Sequence, residues 1–147
     1  MKKNITNSAE ETKELAAKIV GQLKGGEVIG LVGELGAGKT VFVQGLAEGL
    51  GISEVVNSPT FVLMKTYEVE SRKSKVVSLI HVDVYRLSNS QELKEIGIEE
   101  YLGQKDTVVV IEWAEKVEDL LPEGSMMIHF DMGKGESQRV IESQINH

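Results

Sequence analysis

Gly33-Glu34-Leu35-Gly36-Ala37-Gly38-Lys39-Thr40 gathers three glycines, an amine and a hydroxyl into one short stretch. A phosphate chain presents several anionic oxygens, and each needs a short donor. Backbone N–H groups can supply these donors only where the chain curls tightly around the anion. Glycines at 33, 36 and 38 permit that curl and the close approach. A helix opening near Lys39 would add the positive end of its dipole. Lys39 could then reach the β- and γ-phosphates of a nucleotide, with the Thr40 hydroxyl on a magnesium ion. The ordinary alternative is a chance glycine-rich turn. Against it stand the apolar run Glu27 to Val32 before the loop and a helix with an apolar face after it.

Acidic residues that could share this site lie further on. Ligands of open α/β sheets sit beyond the C-terminal ends of the strands. The loop leaves one such end, and Glu112 leaves the end of the apolar run Thr107 to Ile111. If the two strands are parallel neighbours, Glu112 points into the same crevice. It could hold magnesium or orient a water there; otherwise it is a solvated strand-end acid. In Ile80-His81-Val82-Asp83-Val84-Tyr85-Arg86, Ile80, Val82 and Val84 share one face and His81, Asp83 and Tyr85 the other. An acid among apolar neighbours needs a partner. For Asp83 that partner could be magnesium or Lys39, or simply Arg86 or water. In Ser58-Pro59-Thr60, the proline biases Ser58 toward extended backbone. Thr60 could sense the γ-phosphate, or the segment is an ordinary turn. Trp113 suits a core position, and His81 and His129 suit strand positions better than metal ligation, since no partner spacing supports a metal site. Arg72-Lys73-Ser74-Lys75 reads as a short solvated basic turn.

The elements that must hold these groups follow from pattern. Ser8 with Glu11 forms a capping-box signature before Leu15, Ala16, Ile19 and Leu23, and Gly25-Gly26 is expected to stop that helix. Val43, Leu46, Ala47 and Leu50 mark the face of the helix after the loop, which Gly51 ends. Phe61 to Val69 and Val76 to Val84 predict an antiparallel hairpin. A short helix capped at Ser88 or Asn89 carries Leu93 and Ile96, and Ile98 to Leu102 adds a turn. Thr107 to Ile111 reads as a strand buried on both faces. Trp113 to Leu121 is expected to be helical up to Pro122, before strands near Met126 to Asp131 and Gln138 to Ile145. Together these predict an α/β fold, a three-layer sandwich with a mixed central sheet.

The chain has 147 residues, expected to form one domain. A formal net charge of -7 argues against a protein that grips DNA or RNA by its own overall field. Cysteine is absent, which removes disulfides, thiol catalysis and cysteine-zinc sites. Met1-Lys2-Lys3-Asn4 is not followed by an apolar signal region, and no run is long enough to cross a bilayer, so a cytoplasmic location is expected.

GELGAGKT, NSPTF (Asn57 to Phe61), HVDVYRL (His81 to Leu87), ELKEIGIEEYL (Glu92 to Leu102) and IEWAEK (Ile111 to Lys116) occur in this order and spacing. Together they resemble the bacterial TsaE family, also called YjeE, over nearly the whole chain. The resemblance implies a P-loop ATPase fold and bound ATP or ADP with Mg2+. It implies a role in forming threonylcarbamoyladenosine beside the anticodon of tRNAs that read codons beginning with A. The implied partners are a threonylcarbamoyl transferase and its companion, both of sugar-kinase-like fold, with tRNA reached mainly through that complex. By resemblance, the backbone of Gly36, Ala37 and Gly38 with Lys39 and Thr40 binds phosphate, and Thr40 and Glu112 hold magnesium. Lys39, Asp83, Glu112 and Thr60 would serve catalysis. Trp113 matches the tryptophan after the acid, and Asn7 to Ala9 would lie near adenine. Many relatives carry a second threonine where this chain has Val41; the Val41 amide remains available to the α-phosphate. Arg139 is the nearest match to a basic residue of the last hairpin.

The leading expectation is an ATPase, slow alone and faster with its partners, that drives a tRNA-modifying complex. A small P-loop metabolite kinase is the alternative, although Arg72, Arg86 and Arg139 are too scattered for an arginine-rich lid. A non-catalytic nucleotide-bound adaptor is the third.

Overall fold

The computed structural model describes residues 2–58, 63–71 and 73–145. Ser8 takes extended backbone, and its hydroxyl accepts the Glu11 N–H at 3.1 Å. The Glu11 carboxylate returns to the Asn7 amide at 3.3 Å, so the expected capping box closes one residue earlier than the usual form. Helix α1 (Ala9–Val20) follows, with Glu10 and Glu11 at its start and Lys18 in its last turn, which complements its dipole. It stops at Gly21, before the predicted Gly25-Gly26.

Seven strands form one sheet among the described residues: β1 (Lys2–Thr6), β2 (Val28–Gly33), β3 (Met64–Glu68), β4 (Ser78–Asp83), β5 (Thr107–Glu112), β6 (Met126–Met132) and β7 (Arg139–Ile145). Their order is β1-β7-β6-β2-β5-β4-β3. The central pairs β6/β2, β2/β5 and β5/β4 are parallel, and the outer pairs are antiparallel. The mixed sheet and the hairpin β3/β4 match expectation. Strand β1 was not expected, because Lys-Lys-Asn-Ile-Thr shows no buried face; it exists by pairing with β7, Lys2 opposite Ser143 and Thr6 opposite Arg139.

Alternation along the strands divides the core in two. Ile29, Leu31, Val108, Val110, Ile128 and Phe130 pack beneath α1 and α2 (Lys39–Leu50). Ile80, Val82, Val109, Ile111 and Met127 pack against α3 (Ser90–Glu95), the 3-10 turn Ile98–Glu100 and the 3-10 segment Ala114–Leu120. Every residue of β5 is buried, as its apolar run requires. The predicted helix Trp113 to Leu121 is instead this 3-10 segment, kinked at Val117. Its entry residue, Trp113, has a left-handed backbone that no regular helix accepts.

Helix α2 carries the loop's lysine and threonine, so its seating matters for the site. It lies close on α1 because Gly45 has no side chain: a Cβ there would meet Lys13 Cα and O at 2.6 Å and Ala16 Cβ at 2.8 Å. Two of these three atoms are backbone and cannot step aside. Gly45→Ala is therefore expected to destabilise the fold by about 1–3 kcal/mol through overpacking, outweighing the gain of about 1 kcal/mol in helix propensity. Urea denaturation measures this. An unchanged or raised midpoint would show that the two helices can part freely.

Candidate functional site

The glycine-rich loop runs from the end of β2 into α2. Gly33 remains in the strand opposite Phe130 and contributes space, since a Cβ there would meet the Phe130 carbonyl oxygen at 2.8 Å. Gly36 and Gly38 make the turn, with φ of 81° and 102°. Gly38 caps α2 without any side-chain bond, and the first turn carries no acid, so the positive helix end is not offset by a carboxylate of its own. The Ala37 amide donates to the Glu34 carbonyl at 3.1 Å and so braces the loop itself. From the hairpin β6/β7, Arg139 donates to the Gly36 carbonyl at 3.2 Å and to the carbonyls of Glu136 and Gln138.

Lys39 is only 5% exposed. Its ammonium donates to the carbonyls of Gly33 at 2.5 Å and Glu34 at 2.8 Å, and lies 4.0 Å from the centre of the Trp113 ring. Loss of water around it holds its pKa below the ordinary lysine value, while Glu112, Glu115, Asp83 and Glu34 pull in the opposite direction. A desolvated cation beside carbonyl oxygens is suited to exchange them for phosphate oxygens.

The condition on Glu112 is met. β2 and β5 are parallel neighbours, with Leu31 opposite Glu112. Thr40 donates its hydroxyl to both Glu112 oxygens, at 3.0 and 3.1 Å. On the far side the same carboxylate meets His81 Nε2 at 2.6 Å. Asp83 stands beside Glu112 in the β4/β5 register. It does not pair with Arg86 among the described contacts. Its carboxylate accepts the Ser58 hydroxyl at 2.5 Å and the Tyr85 amide at 3.0 Å.

An open cleft of about 420 Å³ joins these groups, with Gly36, Gly38, Lys39, Thr40 and Val41 on one wall and Ser58, Asp83, Tyr85, Arg86, Glu112 and Trp113 on the other. Trp113 packs on Tyr85 with ring centres 4.9 Å apart. It is the one non-glycine residue with positive φ among the described residues, at 63°. Ala9 opens α1 and, with Arg139 and Ala37, lies outside the cleft lining. It nonetheless sits near the hairpin, since Asn7 accepts a bond from Gln138 at 3.2 Å. Thr60 lies outside the described residues.

The donor set fits magnesium. A hydroxyl and a carboxylate already meet, and both are hard oxygen donors. No group of three or more His, Cys, Asp or Glu able to hold a metal occurs among the described residues. Sequence reasoning missed the contact between His81 and Glu112. The alternation that put His81 and Asp83 on one face was the available signal.

The family model described as Threonylcarbamoyl adenosine biosynthesis protein TsaE matches residues 6–141. Similar proteins include the tRNA threonylcarbamoyladenosine biosynthesis protein TsaE of Bacillus subtilis, 42% identical over 123 residues, covering 84% of this chain and 73% of that protein. The protein of the same name from Treponema pallidum is 40% identical over 124 residues, covering 84% of this chain and 87% of its own. Among solved structures, the crystal structure of Bacillus subtilis YdiB aligns with a TM-score of 0.79 and 34% identity, over 99% of this chain and 86% of that one. The family model spans the glycine-rich loop, both acid-bearing strand ends and the last hairpin as far as Ile141, and the chain belongs to the TsaE family.

Proposed function

We propose that the cleft binds ATP with magnesium and hydrolyses it, and that this turnover serves threonylcarbamoyladenosine formation on tRNA. The observation that carries the nucleotide reading is the meeting of Thr40 and Glu112 directly behind the phosphate loop. The tRNA role rests on the similarity to proteins named for that biosynthesis.

In this reading the amides of Gly36, Gly38, Lys39, Thr40 and Val41 cradle the phosphates. Lys39 leaves the carbonyls of Gly33 and Glu34 for the β- and γ-phosphate oxygens. Thr40 and Glu112 would hold magnesium, which when bound offsets charge on the phosphate oxygens. Asp83, at the cleft wall beside Glu112, is placed to order an attacking water, and its bond to Ser58 ties it to the segment leading toward Thr60. An open cleft excludes water poorly, so turnover should be slow until a partner covers it. The family resemblance points to two proteins of sugar-kinase-like fold as those partners. Among the described residues no helix is long and apolar enough to cross a membrane.

Titration calorimetry with magnesium and ATP tests the site. Lys39→Met is expected to weaken binding about 10–100-fold, the equivalent of losing a charged hydrogen bond of about 1.5–3 kcal/mol. The same variant should be no less stable than the wild type at neutral pH, because it removes a desolvated ammonium. Burial lowers the folded-state pKa of Lys39, so the charged form is disfavoured by folding. That penalty is present below the lowered pKa and fades as pH climbs toward the ordinary lysine range. The stability gap between variant and wild type should narrow accordingly in urea titrations at rising pH; a gap that widens with pH contradicts the burial argument.

ATPase assays with and without the two partner proteins test the larger role. Turnover is expected to rise on their addition, and threonylcarbamoyladenosine to disappear from tRNA when the gene is deleted. Unstimulated hydrolysis together with fully modified tRNA after deletion would end this reading.

A further inference from the structure

We propose that His81 is a positioning residue that fixes the orientation of the Glu112 carboxylate, the acid that with Thr40 would hold a magnesium ion. This rests on the nucleotide reading above and adds to it a residue that never touches the nucleotide. His81 is fully buried and does not line the cleft, so any influence it has must pass through another side chain. Its Nε2 lies 2.6 Å from Glu112 Oε2. A carboxylate accepts, so Nε2 carries the proton in that bond. The other ring nitrogen, Nδ1, is buried with no hydrogen-bond partner among the described residues. An unpartnered buried nitrogen costs stability, and an apolar side chain would fill the same space without that cost. The bond at Nε2 is therefore what the imidazole supplies at this position.

The geometry explains why Glu112 needs it. The terminal torsion of a glutamate is broad, and its oxygens swing easily about it. Thr40 bonds both oxygens nearly equally, at 3.0 and 3.1 Å, and so does not by itself choose one. His81 breaks the tie from the same sheet face, one register step back along β4, by bonding Oε2 alone and so distinguishing the two oxygens. Partners that bond a metal-binding carboxylate in this way commonly govern metal affinity about 10–100-fold.

The test compares His81→Phe, which fills the space without a donor, with His81→Gln, whose amide can donate from a similar place. ATP affinity is measured by calorimetry with magnesium and again in EDTA, after denaturation midpoints show both variants folded. His81→Phe is expected to weaken magnesium-dependent binding about 10–100-fold while leaving binding in EDTA unchanged, and His81→Gln to recover most of the loss. Equal losses with and without magnesium, or no loss in His81→Phe, overturn the proposal. If His81→Phe does not fold, histidine ¹⁵N spectra of the wild type decide instead. An Nε2–H tautomer whose resonance moves with magnesium and ADP, but not with ADP in EDTA, is expected. An Nδ1–H tautomer or an unmoved signal overturns the proposal. A wild type that binds no ATP in either medium removes the nucleotide reading itself, and this inference with it.

Discussion

A hydroxyl on the first turn of α2 and a carboxylate on the last residue of β5 meet within 3.1 Å, though 72 positions separate them in the chain. This contact can form only if β2 and β5 run side by side in the same direction. Then the loop leaving one strand and the acid ending the other open onto a common crevice. Each larger feature of the fold serves that condition. The buried apolar run of β5 places it in the interior of the sheet beside the central β2, and α2 descends over it on the face shared by Val108 and Val110. The close seating of α2 on α1 then sets the height of Thr40 above the strand ends.

Charge is distributed with the same economy. The chain is acidic overall, yet an ammonium and the open end of a helix meet at one loop, and Arg139 bonds that loop from outside the cleft. Lys39 is stripped of water and held by carbonyls, with four acids nearby offsetting part of its desolvation. A lysine kept this way is both positioned and incompletely satisfied, and phosphate oxygens would complete its coordination better than carbonyls do. Two of these acids are themselves occupied: Glu112 by Thr40 and His81, Asp83 by Ser58 and Tyr85. The site is built from mutual restraint rather than from isolated reactive groups.

How much of this could be read beforehand depended on range along the chain. The glycine-rich loop between β2 and α2 was legible because its glycines, lysine and threonine are contiguous and their reason is local. The place of Glu112 followed once β2 and β5 were taken as parallel neighbours, since a strand-end position carries that information. The hairpin β3/β4 and the core strands followed from apolar runs. The bond between His81 and Glu112 was hidden because one sequence carries no cross-strand register, and alternation names a face without naming a partner. Strand β1 was hidden because its residues are mostly exposed and its stability comes from β7. The segment after Glu112 was misread as a regular helix because apolar spacing alone does not reveal the left-handed backbone of Trp113 or the break at Val117.

That left-handed residue has an optical consequence. Trp113 is the sole tryptophan in the chain, and its unusual backbone turns the indole so that an ammonium rests 4.0 Å from its ring while a tyrosine packs beside it. Emission excited in the red edge of the protein's absorption therefore comes from one point in the molecule. The brightness and colour of that light depend on where two lysines stand, Lys39 at 4.0 Å and Lys116 at 5.8 Å from the ring, which makes the chain its own local electrometer.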